Sequence, residues 1–180
     1  PEPKTFKLAN GETMTVPRKS SGRPVAAKPT SPAPGSPHVP TGDPLKDGVG
    51  PASYALRADH PELTYEGEIK IVPLREHADF SMASEDTDPR GLAVVAGDGA
   101  TVGKVVDAWV DKSEYLLRYL EVELASGGRR LLPTGFWAFD GKHAKVMVDA
   151  LHGKHFAGVP TTAKPGSVTQ LEEEKIMAYF

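Results

Sequence analysis

A segment in the middle of the chain, WVDKSEYLLRYLEVEL at 109–124, carries four carboxylates within a run that is otherwise largely apolar. Asp111, Glu114 and Arg118 follow one another there with the spacing DxxExxxR. Carboxyl groups that lie close together titrate as a coupled set, and one of them keeps its proton to a higher pH than an isolated carboxyl does. Such a set can accept a proton and pass it on near neutral pH. Proton transfer is therefore the chemistry that this segment could perform.

The same three side chains also have a structural interpretation. If 116–124 form a strand, alternation puts Arg118 on the leucine-rich face that points to the core. A buried guanidinium needs a carboxylate partner, and Asp111 and Glu114 are the nearest acids in the sequence. The three side chains would then form a salt-bridged corner that stabilises the fold. Spacing alone leaves both interpretations open.

Short apolar runs separated by Gly, Asp, Ser or Pro predict the elements that position these groups. The runs lie at 69–72, 92–95, 104–110, 116–124, 129–133, 136–139 and 145–151. Turns at 97–99 and 126–128 suit hairpins, and no helical period separates the strands. The pattern predicts a mainly β fold in which a small antiparallel sheet closes into a barrel. Glu121 and Glu123 would point away from its core, and we assign both to solvent.

The N-terminal part of the chain is rich in proline. Eleven of the 17 prolines lie at or before Pro51, and proline excludes helix and central strand from 22–44. This composition predicts an extended arm, which is either a disordered linker or a segment that lies along a partner surface. The glycines and the Asp-Pro step of 41–54 specify turns, and they favour the partner surface.

The C-terminal stretch SVTQLEEEKIMAYF at 167–180 departs from the strand pattern. Thr169 and Glu172 have the spacing of a capping box, and acids in a first turn suit the positive end of a helix dipole. These features predict a final helix. Glu172, Glu173 and Glu174 would form its solvated face rather than a metal site.

Composition excludes several functions. The formal net charge of −3 gives no electrostatic reason to bind a polyanion, so we predict no nucleic-acid partner. The absence of cysteine excludes disulfides and thiolate catalysis. His152 and His155 could share a helical face, but the sequence shows no third ligand, phosphate loop or nucleophile elbow, which disfavours a hydrolase or metalloenzyme. No apolar run approaches the roughly 20 residues of a membrane helix.

Six motifs follow one another along the chain. They are TGDPLKDGVGPASY at 41–54, VGKVVDAWVD at 102–111, RYLEVEL at 118–124, RLLP at 130–133, HFAGVPT at 155–161 and LEEEKI at 171–176. Together they resemble the H subunit of the photosynthetic reaction centre of purple bacteria. The resemblance implies an extended Pro-rich arm at 1–60 that lies on partner subunits, a PRC-type β-barrel at 61–165 and a C-terminal helix at 166–180.

The resemblance also implies a function. H subunits cap the L and M subunits on the cytoplasmic side, stabilise the complex and conduct protons to the secondary quinone during its light-driven reduction to quinol. Such a subunit has no independent catalysis and binds no cofactor itself. Bacteriochlorophyll, bacteriopheophytin, quinones and non-haem iron would belong to L and M, and light-harvesting antenna proteins and membrane lipids are further candidate partners.

The resemblance further implies a location. Family members carry a single N-terminal transmembrane helix, which would precede Pro1 and would hold the chain at the cytoplasmic face of the intracytoplasmic photosynthetic membrane.

The proton-delivery residues of the family can be matched to positions in this chain. Asp111, Glu114 and Arg118 match two acids and an arginine that lie near the water path to the secondary quinone. Lys70 belongs to a second matching segment, at 61–73, and we include it in the predicted proton-transfer set.

That second segment matches the surface entry for protons. Glu66 and Glu68 stand where well-known members have two histidines. An imidazole titrates near neutral pH, whereas an exposed glutamate has a pKa of about 4.3 and attracts protons mainly through its negative charge. The two glutamates are therefore either a proton-collecting pair or two solvated acids on a strand edge. His60 and His77 are alternative entry residues.

Overall fold

A computed structural model describes residues 2–8, 11–17 and 22–180. This part of the chain contains eleven β-strands and two α-helices. The strands are β1 Lys4–Lys7, β2 Thr13–Val16, β3 Ala27–Pro29, β4 His38–Pro40, β5 Ile71–Pro73, β6 Ala93–Ala96, β7 Thr101–Asp111, β8 Leu116–Leu124, β9 Arg129–Pro133, β10 Ala138–Asp140 and β11 Lys145–Val148, and the helices are α1 Pro44–Asp47 and α2 Gln170–Tyr179.

Seven strands form one sheet in the order β10-β11-β6-β7-β8-β9, with β5 also paired to β7. Every pair in it is antiparallel except β11 with β6, which is parallel. The predicted hairpins β6–β7 and β8–β9 are confirmed, as is the mainly β fold. The predicted closure is not found, because no pairing joins β9 to β10 within the described residues. Pro133 ends β9 and has no N–H to donate to a further strand.

The two faces of this sheet pack separately. The main core includes Val94, Val105, Leu120 and Val146, each almost completely buried. Alternate residues point to the opposite face, where α2 covers a smaller cluster, namely Ile71, Trp109, Tyr119, Leu131, Val168 and Ile176. Burying an aliphatic or aromatic side chain of this size contributes roughly 1.5–3 kcal/mol. Neither sheet face at the centre of the fold is therefore left to solvent.

A β-bulge in β8 changes the position of Arg118. Trp109 pairs with Tyr119 but the next residue, Val110, pairs with Leu117, so Arg118 is an extra residue in the ladder. The bulge interrupts the alternation, and Leu117 packs against the main core. The Arg118 side chain is 42% exposed. The prediction that Arg118 faces the core is wrong because it assumed an unbroken strand.

Glu121 is buried, with 6% of its surface exposed, so its assignment to solvent is wrong. Its carboxylate accepts hydrogen bonds from Arg75, from the indole Nε1 of Trp109 at 3.1 Å and from Arg129 at 3.1 Å. Strand alternation predicts to which face of the sheet Glu121 points, but it does not show that other residues cover that face. Glu123 does reach solvent, and it forms an exposed ion pair of 3.4 Å with a lysine of β7.

The predicted C-terminal helix and its capping box are confirmed. Thr169 Oγ1 accepts a hydrogen bond from the backbone N–H of Glu172 at 3.1 Å, and the Glu172 carboxylate accepts one from the N–H of Thr169 at 2.8 Å. The predicted solvated face is wrong for two of its three acids. Glu172 and Glu173 are buried because α2 packs on the sheet, and Glu174 is partly exposed.

We expect Thr169→Ala to lower the free energy of unfolding by about 1–2 kcal/mol. The substitution removes the cap of α2 and also the hydrogen bond from Thr169 Oγ1 to the carboxylate of Asp59, 2.9 Å away. Urea denaturation measures the loss, and Thr169→Ser, which keeps the hydroxyl, is the matched control. Equal stability of the alanine and serine variants would contradict the capping role.

Within the described residues, the β-strands of the N-terminal region pair only with one another. The described residues before 60 include two separate two-stranded sheets, β1–β2 and β3–β4, and the one-turn helix α1. The turn signals at 41–54 are confirmed, since Asp43 caps α1 and Gly48 ends it with a φ of 61°. The β3–β4 hairpin shows that 22–44 is not fully extended. Residues 1, 9, 10 and 18–21 of the predicted arm lie outside the described residues.

Neither α-helix in the described part of the chain has the length and hydropathy of a membrane span.

Candidate functional site

Backbone pairing brings three distant segments together at the start of β5. The N–H of Lys70 donates to the carbonyl of Glu62 at 2.9 Å, and the carbonyl of Lys70 accepts from the N–H of Lys112 at 2.9 Å. The next residue, Ile71, pairs with Asp111 in the ladder between β5 and β7. The fold therefore fixes the side chains of Glu62, Lys70 and Asp111 next to one another.

One lysine forms ion pairs with three carboxylates at this point. Lys70 Nζ lies 3.4 Å from Asp111, 3.5 Å from Glu62 and 3.6 Å from Glu114. We call these four residues the Lys70 cluster. The side chain of Asp111 is 1% exposed, whereas those of Glu62 and Glu114 are 41% and 53% exposed. The cluster therefore connects a buried carboxylate to solvent through two surface carboxylates.

The two oxygens of Asp111 have different partners. Its Oδ1 accepts hydrogen bonds from the backbone N–H groups of Ser113 at 2.9 Å and Glu114 at 3.1 Å, which form the turn between β7 and β8. Its Oδ2 is buried, lies 3.4 Å from Lys70 Nζ and receives no hydrogen bond within the described residues. A buried charged oxygen without a hydrogen-bond donor depends on its ion pair. Lys70 is therefore the group that compensates the charge on Oδ2.

Lys70 is the fixed positive charge of the cluster. Burial opposes its charge, but the carboxylates of Asp111 and Glu62 outweigh burial and raise the pKa of Lys70 above its ordinary value. A lysine with a raised pKa keeps its own proton throughout the neutral range. Lys70 therefore orients the three carboxylates and stabilises their charged forms.

Glu66 and Glu68 lie in a tight turn rather than on a strand edge. Gly67 stands between them with a φ of 85°, and a single bridge between Leu63 and Ile69 closes the turn. The predicted strand edge is therefore wrong, because the residues next to the turn form a single bridge and not a strand.

A cleft of about 460 Å³ lies beside this turn. It is lined by both glutamates, by Asp79 and by Lys112 among others. Lys112 donates a hydrogen bond to Glu68 and lowers the pKa of that carboxyl. The cleft therefore presents carboxylates to solvent, and one of its lining residues, Lys112, directly follows Asp111 in the chain.

Two family models match consecutive parts of the chain. Residues 1–76 match the photosynthetic reaction centre H-chain N-terminal region, and residues 82–155 match the PRC-barrel domain. The chain belongs to the reaction centre H-chain family. Membership makes it a subunit of a reaction centre complex and associates it with the photosynthetic membrane.

The Lys70 cluster joins the two matched regions of this H chain. Glu62 and Lys70 belong to the H-chain N-terminal region, whereas Asp111 and Glu114 belong to the PRC-barrel domain. A site assembled from both regions requires them to pack together as they do here, through the pairing of β5 with β7.

The H chain does not bring together the predicted trio of Asp111, Glu114 and Arg118. Lys70 takes the place of the arginine in the ion pairs with the two acids, and Arg118 lies 3.9 Å from Glu173 of α2 instead. Glu62 was missed by the sequence analysis. Its signal was the turn at Gly67, since a tight hairpin there sets Glu62 opposite Lys70.

Among the described residues, no group of three His, Asp or Glu side chains could hold a metal ion. His152 and His155 do face each other, with ring centroids 6.3 Å apart.

Proposed function

We propose that this H chain caps the L and M subunits on the cytoplasmic side of the reaction centre, stabilises the complex and conducts protons to the secondary quinone as light reduces it to quinol. In this proposal the chain has no catalysis of its own. Its role is to let protons pass while it keeps bulk water away from the quinone.

The Lys70 cluster is the observation that supports proton conduction. It consists of two half-exposed carboxylates, one buried carboxylate and one lysine, all within 3.4–3.6 Å of the lysine nitrogen. Carboxylates at such distances are electrostatically coupled, so a proton gained by one changes the proton affinity of the others. A proton can thus pass from solvent to Glu62 or Glu114 and then to Oδ2 of Asp111.

The chemistry of quinone reduction creates the need for such a path. Two electrons placed on a quinone in a pocket of low dielectric constant build up charge that is costly unless two protons follow. Titratable side chains held in a protein domain can deliver protons without opening the pocket to bulk water. The carboxylates of the cleft at Glu66 and Glu68 would attract protons toward the cluster.

The remaining predictions belong to the same proposal. Residues 1–60 would lie on the L and M subunits, 61–165 would form the barrel domain and 166–180 the final helix. The pigments, quinones and non-haem iron would be held by L and M. The assembly would lie at the cytoplasmic face of the photosynthetic membrane, anchored by a transmembrane helix that precedes this chain.

We expect Glu114→Gln, in the assembled complex, to slow the second electron transfer and its coupled proton uptake by about tenfold, which corresponds to about 1.4 kcal/mol of activation free energy. The substitution keeps the shape of the side chain but removes its capacity to carry a proton. The first electron transfer should be unchanged, because it does not require a proton. Flash-induced absorbance changes measure both steps across a pH series.

Glu123→Gln is the matched control, since Glu123 is a half-exposed carboxylate outside the Lys70 cluster, paired with Lys104. Second-electron kinetics that are the same in both variants at every pH would leave Glu114 with a structural role only. They would also remove the main support for proton conduction by the cluster.

A further inference from the structure

Glu173 of α2 is a buried carboxylate outside the Lys70 cluster. Only 6% of its surface is exposed, and the hydroxyl of Tyr119 on β8 donates a hydrogen bond to its Oε2 at 2.9 Å. Tyr119 is itself 2% exposed and belongs to the smaller hydrophobic cluster between the sheet and α2. A glutamate in such a place must either be charged at a considerable cost or hold a proton.

Within the described part of the chain, no cation donates a hydrogen bond to this carboxylate. The charged and titratable groups around it are Tyr119 and Arg118 on β8, Glu174 on α2 itself, and Arg57 and Glu62 on the segment before β5. Backbone hydrogen bonds of 3.1 Å from Gln170 to His60 and from Leu171 to Ala58 hold that segment against α2. Arg118 is the nearest cation, at 3.9 Å, and its side chain is 42% exposed. Arg57 forms an ion pair of 3.6 Å with Glu174, so its positive charge compensates Glu173 only in part. The compensation of the Glu173 charge is therefore incomplete.

These surroundings set the proton affinity of Glu173. Burial raises the pKa of its carboxyl, while the hydrogen bond from Tyr119 and the charge of Arg118 oppose that rise only in part. The negative charge of Glu62 raises the pKa further. Glu62 also pairs with Lys70 at 3.5 Å. One carboxylate, Glu62, therefore acts electrostatically on both Glu173 and the Lys70 cluster.

The tyrosine allows Glu173 to change its protonation state without repacking. A phenol hydroxyl can donate to a carboxylate and can also accept from a carboxylic acid. The hydrogen bond between Tyr119 and Glu173 can therefore persist in both states. Tyr119 keeps its own proton, because burial and the neighbouring carboxylate of Glu173 raise the pKa of its hydroxyl.

We propose that Glu173 is a proton-binding group coupled to the Lys70 cluster through Glu62, and that it takes up a proton when negative charge increases there and returns it when the charge falls. The coupling is electrostatic, and the proton that Glu173 binds is taken from water and returned to water, so one O–H bond breaks as another forms. The use of this proton in quinone reduction rests on the proposed function, whereas the binding of the proton and the coupling do not.

Infrared spectroscopy of the assembled complex across a pH series tests the proton-binding step. The carboxylic acid C=O band of Glu173 should be lost in Glu173→Gln and kept in Glu174→Gln, a matched control on the same helix turn. In Tyr119→Phe the band should titrate at higher pH, because the carboxylate loses the donor that favours its charged form. A titrating band that persists in Glu173→Gln, or that stays in place in Tyr119→Phe, would overturn the inference.

Glu62→Gln tests the coupling. Removing the charge of Glu62 should move the titration of Glu173 to lower pH, and an unmoved band would overturn the coupling through Glu62. Illumination of the unmodified complex should also change the Glu173 band. If that change is absent while Glu114→Gln slows the second electron transfer, the coupling is overturned and the proposed function stands. If Glu114→Gln has no kinetic effect, the proposed function fails, and the pH titrations alone decide whether Glu173 binds a coupled proton.

Discussion

Replacing Glu121 by leucine should lower the free energy of unfolding by about 3–5 kcal/mol, the usual cost of removing one partner from a buried charge network. The substitution leaves the indole N–H of Trp109 without its acceptor and takes one of three carboxylates from Arg75. It also releases Arg129. Leucine fills a similar volume, so the loss would come from the unpaired polar groups and not from a cavity.

The loss should depend on pH in a defined direction. Burial would raise the pKa of Glu121, but hydrogen bonds from Arg75, Trp109 and Arg129 and the charge of Arg75 outweigh it, and the pKa is lowered. A carboxyl whose pKa is lower in the folded state adds stability above its unfolded pKa and loses it as the pH falls through the folded value. The stability difference between the wild type and the leucine variant should therefore be largest near neutral pH and should shrink in acid.

Glu123→Leu is the control for this experiment. Glu123 is two residues away on the same strand, but its ion pair with Lys104 is half exposed. The side chain of Lys104 is 60% exposed and that of Glu123 is 42% exposed. Exposed pairs of this kind contribute about 0–1 kcal/mol. Guanidinium denaturation at several pH values compares the two variants. A similar, small and pH-independent loss in both would mean that Glu121 is not part of a stabilising network.

Local patterns in the sequence predicted most of the fold. The strands follow from short apolar runs with turn residues between them, and the helix start follows from the capping box of Thr169 and Glu172. These signals depend on neighbours within a few residues, so they can be read directly from the chain. Barrel closure stays a prediction, because pairing between distant edge strands has no local signal in the sequence and no such pairing is found within the described residues.

The errors at the site have the same physical origin. Asp111 and Glu114 were recognised as a pair, but their cation, Lys70, comes from another strand, and only the pairing of β5 with β7 brings it there. The predicted orientation of Arg118 was wrong because β8 contains a one-residue bulge. Glu121 and Glu173 were assigned to solvent because alternation and helix position define a face but do not show what covers it. The sequence therefore did not show which surfaces of the strands and of the helix are covered by other parts of the fold.

Replacing Lys70 by methionine should reduce the free energy of unfolding by about 3 kcal/mol. Most of this loss comes from Asp111, which is 1% exposed and would keep a buried negative charge without its cation. The pairs with Glu62 and Glu114 add little, because both carboxylates reach solvent. The neighbouring carboxylates also raise the pKa of Lys70, so its stabilising contribution is present across the neutral range and is lost only in strong alkali.

A double-substitution cycle separates this charge effect from the loss of packing. Lys70→Met combined with Asp111→Asn should recover most of the stability, because the buried carboxylate is neutralised together with its cation. Lys104→Met is the matched lysine control and should cost no more than about 1 kcal/mol. If Asp111→Asn restores nothing, the charge of Asp111 is compensated elsewhere, and Lys70 is not the residue that stabilises the buried carboxylate.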